Sequence, residues 1–449
     1  MPRLAPPVVF ALLASGLMAW QGMLTMAFTD YEVEAEPSLQ ALRAGHIGAF
    51  LAHLPAYGGS LILRAPFALL PSLWHGGSLA LFRSFAVPCL LAAVALGLVL
   101  WSRLDRDGQR RAAWVALALC VLNPVTVRAL EIGHPEDLLG ACLCAAAVMA
   151  AIEERPTWAG ILLGLALANK AWAVLAVLPV VLALRHGRAR AAVIAGGAAL
   201  LVLAPMLLSG ASGVSTAASI GNSGAGAFHP WQVWWFFGPE HLVPHGTTGT
   251  IVYRVGPGWL APISHRLVVL SCLPLAALWW WRRARPAGAA GRDALLLLSV
   301  VMLARCLLDP WNVVYYALPF LVALTAWEAF ERRRLPVIAV FAALATWTDF
   351  ELLNNSLRPD QQSVLYLLWT LPLFALLSWR LYAPASFARR SGPVLDAAGV
   401  RLPGLARLLQ RRAEGVAGRR AEGIAGRRAE GLAGRRAESA AAGRAGAPA

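Results

Sequence analysis

The chain has 449 residues, 58% of them hydrophobic and 14% charged, with a mean hydropathy of +0.60 and a formal net charge of +15. So little polar surface excludes a soluble globule of this length and indicates an integral membrane protein. The basic excess does not indicate a nucleic-acid partner, because residues 385–449 concentrate thirteen arginines against five acids, and a basic tail beside a membrane marks the cytoplasmic side.

A hydrocarbon core of roughly 30 Å needs about 20 apolar residues per helix, and apolar runs recur from Val8 to Leu381. The first, Val8 to Phe28, is too long for a signal-peptide core and is read as an uncleaved anchor. The loop after it, Thr29 to Arg83, holds two segments expected to lie at the membrane surface: Pro37 to Leu54, with apolar residues at approximate helical spacing, and Leu61 to Trp74, interrupted by Pro66 and Pro71. Arginine clusters follow at Arg103/Arg106/Arg110/Arg111, Arg185/Arg188/Arg190, Arg282/Arg283/Arg285 and Arg332/Arg333/Arg334, all assigned to the cytoplasm. The pattern predicts an all-α, polytopic bundle of about 12 spans in a bacterial plasma membrane, with both termini cytoplasmic. The spans fall near 8–28, 84–101, 112–130, 137–152, 157–168, 171–184, 191–208, 266–281, 294–308, 313–329, 336–349 and 362–381. The pair 157–168 and 171–184 is read as two short helices, since a single crossing would put every later arginine cluster outside. Polar residues also break the pairs 112–130/137–152 and 294–308/313–329 on the outer side, which predicts an outward-facing crevice.

A second outer loop, Ser209 to His265, starts Gly/Ser/Ala-rich and becomes aromatic at Trp231, Trp234, Trp235, Phe236 and Phe237. Residues 1–384 are expected to form the membrane domain and 385–449 a disordered cytoplasmic tail. There RRAEGVAG, RRAEGIAG, RRAEGLAG and RRAES repeat every eight residues from Arg411 to Ser439. One apolar residue per repeat cannot build a core, so the tail reads as solvated low-complexity sequence, with attraction to anionic lipid as the alternative. The six cysteines all sit in apolar runs without zinc-type spacing and read as packing residues.

Candidate chemistry begins at Asp30-Tyr31-Glu32, where a carboxylate at the outer surface is placed to take a proton from a hydroxyl acceptor; nearby Glu34 and Glu36 favour the plainer view of a solvated acidic loop. In the turn from Glu131 to Asp137, Asp137 is expected to cap the next helix beside Glu136, while His134 is free to contact a phosphate or sugar oxygen. Lys170, the one lysine of the chain, stands in the apolar run ALANKAWAV, where a central charge costs roughly 2.5–3.5 kcal/mol. Either it snorkels to the interface or it holds an anion such as a lipid phosphate. Arg305 and Asp309 mark the third outer break, spaced to pair with each other, and Asn312, Tyr315 and Tyr316 follow. Trp234 and Trp235 either stack on sugar rings or belong to the aromatic belt. His241 and His245 have a metal-like spacing, but Pro244 breaks a helix through them, and no metal is expected.

This layout of a first helix, an outer D-x-E, a long outer loop and many short spans resembles the GT-C superfamily of integral-membrane glycosyltransferases. Within it, GILLGLALANKAWAVLAVLPVVLAL, with Gly160, Gly164 and Lys170, is similar to glycosyltransferase family 87. PAYGGSLILRAP stands where that family often has a proline after the first loop's tyrosine-rich stretch. The resemblance implies a mannose-like sugar transferred with inversion from a polyprenyl-phosphate donor to an envelope lipid or glycan, without a cofactor. By that resemblance Asp30 is the base; on the separate ground that a leaving phosphate needs cations, His134, Lys170 and Arg305 are candidates to hold it, with Glu136 and Asp309 as further substrate-binding candidates. Broken helices and an intramembrane lysine also fit a secondary transporter or a flippase. A non-catalytic scaffold is the third reading.

Overall fold

A computed structural model describes residues 5–22, 30–209, 228–245, 249–283, 293–384 and 386–387. The repeat tail, the end of the first expected span and the Gly/Ser/Ala-rich start of the second outer loop lie outside these residues. Helix α1 (Ala5–Gly22) is followed, beyond Asp30, by a π-helical turn (Tyr31–Ala35), α2 (Glu36–Arg43), α3 (Ile47–Ala52), α4 (Gly58–Ala68) and a 3₁₀ turn (Leu70–Trp74). Next come α5 (Ser78–Arg106), α6 (Arg110–Val121), α7 (Pro124–Ile132), α8 (Glu136–Ile152) and α9 (Pro156–Asn169). A 3₁₀ turn (Ala171–Ala176) then leads to α10 (Val177–Ala183) and α11 (Arg188–Leu208). A hairpin of β1 (Glu240–His245) and β2 (Gly249–Arg254) precedes α12 (Ser264–Arg283), α13 (Ala294–Leu308), α14 (Leu318–Ala326), α15 (Val337–Trp347) and α16 (Pro359–Tyr382).

Among the described residues, five segments are long and apolar enough to cross a membrane: α1, α5, the α6–α7 segment, α11 and α16. Shorter apolar helices are α9, α13 and the segment Ala171–Ala183. The centre of the bundle is α13 with α14, in which nearly every residue is buried; helices that are apolar on all sides belong there. On α11, by contrast, Val193, Leu200, Leu201 and Leu208 are exposed, an apolar patch of the kind that contacts lipid.

Local chemistry explains the departures from the expected elements. The run 112–130 is two helices, because the Asn123 carboxamide accepts the Val125 amide at 3.1 Å as an N-cap and Pro124 starts α7. Pro66 does not end α4, which buries Gly58, Ser60, Leu61 and Arg64 and packs on α5, α9 and α11. The chain is mostly helical as expected, and among the described residues it adds one antiparallel hairpin, in which Glu240 faces Arg254 and Leu242 faces Val252. Its Thr250, Ile251 and Val252 favour strand, and Arg254 holds Glu240 at 2.7 Å and Asp360 at 3.0 Å. Gly160 and Gly164 allow α9 to meet α11 backbone to backbone: a Cβ on either would stand 2.6 Å from the Ala191 oxygen or 2.5 Å from the Ala195 oxygen.

Candidate active site at three helix breaks

The turn after α7 begins with Gly133, whose φ of +103° is a left-handed helix stop that glycine adopts without strain. A Cβ there would lie 2.5 Å from the Tyr31 nitrogen, so the missing side chain is what lets the 30–31 backbone settle on this turn. The consequence is a contact across 104 residues: the Asp30 carboxylate receives a hydrogen bond from His134 Nε2 at 3.0 Å. His134 Nδ1 meets Glu136 Oε1 at 2.7 Å. At the second break α9 stops at Asn169, and Lys170 turns extended, with φ −155° and ψ 138°. Its ammonium donates to Glu136 Oε1 at 2.8 Å and Asp137 Oδ2 at 2.6 Å.

Glu136 and Asp137 are fully buried, and each carboxylate oxygen has a donor. Arg64, itself buried, donates to Glu136 Oε2 at 3.3 Å, and the Trp172 indole donates to Asp137 Oδ1 at 2.8 Å. Asn169 binds the Glu136 carbonyl at 2.8 Å and is held by Ser60 at 2.8 Å. Asp137 therefore does not cap α8 as expected: Pro135 is the N-cap, and the Asp137 oxygens are engaged by Lys170 and Trp172. Three acids, two permanent cations and His134 fill the cluster. Burial and the Lys170 charge press the His134 pKa down, but the Glu136 charge and hydrogen bonds to Asp30 and Glu136 outweigh them and raise it to about 9. His134 is then an imidazolium at neutral pH, and the cluster is balanced.

This shift makes a testable statement about stability. The charged His134 contributes fully below its unfolded value of 6.5, and that contribution is lost as the pH rises through about 9. The melting temperature of the detergent-solubilised protein should fall as the pH is raised through that window. His134→Gln should melt lower at neutral pH and lose most of this dependence; an unchanged slope would refute the assignment.

At the third break Asp309 has left the helix, with ψ 117°, and accepts the Trp311 amide at 3.0 Å. The expected pair with Arg305 does not form for that reason. Arg305 lies over the Tyr316 ring at 4.1 Å and the Trp172 ring at 5.3 Å, and no carboxylate among the described residues is in ion-pair range. Tyr315, 4.7 Å from the His134 ring, links the third break to the first two, and Tyr57 covers His134 from another side at 5.6 Å. Glu32 stands on the π-helical turn and makes no hydrogen bond among the described residues.

Trp234 and Trp235 make no contact with the charged cluster among the described residues. Trp235 is fully buried, stacked on Phe228 with its indole bonded to Asp360 at 2.7 Å, which leaves no face for a sugar. Trp234, partly buried, donates to the Leu308 carbonyl at 2.9 Å. His241 and His245 lie on strand β1. Among the described residues, His134, Glu136 and Asp137 bring ligand-type atoms within 4.8 Å of one another, but Lys170, Arg64 and Trp172 occupy their oxygens, and a dication would have to displace them.

Sequence reasoning missed Arg64, Asn169, Tyr57 and Trp172. A lone arginine in the apolar run LILRAP carries the same signal that singled out Lys170. Ile132 at the end of α7, and Val313 and Val314 just before Tyr315, line a cleft of about 670 Å³ together with His229, Trp231 and Asn354; none of the cluster side chains lines it. Arg128 ties its rim together by binding Glu131 and Glu351, each at 3.0 Å.

Compared with known proteins, residues 58–310, more than half of the chain, match the model of glycosyltransferase family 87. The matched stretch contains Arg64, His134, Glu136, Lys170 and Arg305 and starts beyond Asp30. No curated protein matches the chain.

Proposed function

The chain belongs to glycosyltransferase family 87, and from that premise we propose that it moves a mannose-like hexosyl group from a polyprenyl-phosphate donor to a lipid or glycan acceptor of the cell envelope. It does so on the outer face of a bacterial plasma membrane, as a multi-pass protein of about 12 spans with both termini cytoplasmic. The observation that carries the reading is the half-exposed Asp30 carboxylate, held at 3.0 Å by the buried His134 ring.

In this mechanism the acceptor hydroxyl attacks the anomeric carbon of the donor as Asp30 takes its proton. The bond from the anomeric carbon to the phosphate oxygen breaks, and polyprenyl phosphate leaves with the electron pair. His134 and Lys170, both committed to carboxylates, position Asp30 and the α8 turn. Arg305, with no acid partner among the described residues, is the cation that meets the charge developing on the phosphate.

Purified protein given polyprenyl-phospho-mannose and membrane lipid acceptors should release polyprenyl phosphate in step with mannosyl transfer. Arg305→Gln should weaken donor use roughly tenfold to a hundredfold, the range for a hydrogen bond to a charged group. Movement of intact donor across the bilayer without release would overturn the reading in favour of a flippase or transporter.

A further inference from the structure

The helices that carry the cluster end in a second polar feature. Glu136 opens α8 and Ile152 closes it, roughly 24 Å away at 1.5 Å per residue; Arg305 lies near the end of α13, and Asp293 precedes its start. At this opposite end Arg103, Arg332, Arg333, Arg334 and Arg380 line a cleft of about 490 Å³. Three of them face acids: Arg103 binds Glu153 at 2.6 Å, Arg333 binds Asp107 at 3.2 Å and Arg380 lies 3.7 Å from Asp293.

Arg332 and Arg334 have no carboxylate in ion-pair range among the described residues. Burial and the like charges of Arg380 and Arg334 press the Arg332 pKa below its ordinary value, so the cations repel one another in the absence of a counter-ion. The buried acid of the cleft adds little countercharge: burial pushes Glu331 up to about 8, leaving it protonated at neutral pH. Its Oε1 accepts the Leu295 amide at 3.0 Å, and its Oε2 is buried without a partner. The chain reaches this arrangement through Arg333, whose φ of +49° is a left-handed conformation uncommon outside glycine. An excess of planar cations around a protonated carboxyl is a site for oxygen anions.

We propose that this cleft binds a phosphate-bearing anion, held by Arg332 and Arg334. The ligand is the headgroup of an anionic phospholipid or a free phosphate; the lipid source places the cleft at the inner leaflet, as the proposed topology requires. The site stands apart from the transferase reading and does not depend on Asp30.

The test uses the full chain in nanodiscs of phosphatidylcholine, with or without phosphatidylglycerol, and inorganic phosphate titrated against chloride at matched ionic strength. Melting temperature and lipid retained in native mass spectrometry are read together. Phosphatidylglycerol alone raising both identifies a lipid headgroup; inorganic phosphate raising the melting temperature identifies a free anion. The double substitution Arg332→Gln with Arg334→Gln should weaken that response about tenfold or more. Arg106→Gln, an exposed arginine at the same end of α5 but outside the cleft, should leave it unchanged. The substituted pair makes no ion pair among the described residues, so its own melting temperature without anion should not fall. If neither anion stabilises the wild type, or if the double variant responds as the wild type does, the proposal fails.

Discussion

Asp30→Asn is expected to cut sugar transfer by about 10²–10⁴-fold, the usual contribution of a positioned general base. The substitution is nearly isosteric and keeps an oxygen that can accept from His134 Nε2, so the geometry of the turn should survive. What it removes is the ability to take the proton of the acceptor hydroxyl. With donor binding assigned by our proposal to Arg305 at another break, the loss should appear in kcat, with the donor KM shifted by no more than about twofold. Release of polyprenyl phosphate by protein of normal melting temperature is the measurement. Glu32→Gln is the companion: Glu32 touches nothing in the cluster, and its variant should retain transfer. Full turnover by the Asp30 variant, or loss with Glu32→Gln alone, would remove Asp30 as the base.

Lys170→Met should produce the largest loss of stability. The ammonium bridges Glu136 and Asp137, both fully buried, and removing it leaves carboxylates that a membrane-facing interior cannot solvate. Breaking a buried pair on one side costs about 3–5 kcal/mol, whereas replacing both partners by apolar groups is often close to neutral. The double variant Lys170→Met with Asp137→Leu should therefore recover part of the loss, since Glu136 keeps Arg64 and His134. Thermal unfolding and the yield of monodisperse protein in detergent decide between the two. A single variant as stable as the double one would mean that the ammonium is not what holds these acids.

The Lys170 cost was legible in the sequence because it is local: a charge among apolar residues needs compensation wherever it sits. Its partners were not, because Glu136 and Asp137 lie more than thirty positions away and their spacing reads equally well as helix capping. Arg64 escaped notice although the apolar run around it posed the same question. The setting of Trp235 was hidden for the complementary reason. A count of aromatics in a loop says nothing about which ring is shielded, and here a contact with Asp360, 125 residues away, decides it.

By itself the sequence determined the membrane character, the three polar breaks and the candidacy of Asp30, since hydropathy, parity of basic loops and helix punctuation act over a few residues at a time. Tertiary structure alone decided that the breaks meet, that His134 links Asp30 to Glu136, and that Arg305 is the cation without an acid partner among the described residues. It also placed the Arg332 and Arg334 cleft at the far end of the same helices. Those facts depend on which helix faces pack together, through close approaches such as Gly160 on Ala191 and Gly133 on Tyr31, and no local pattern encodes that pairing.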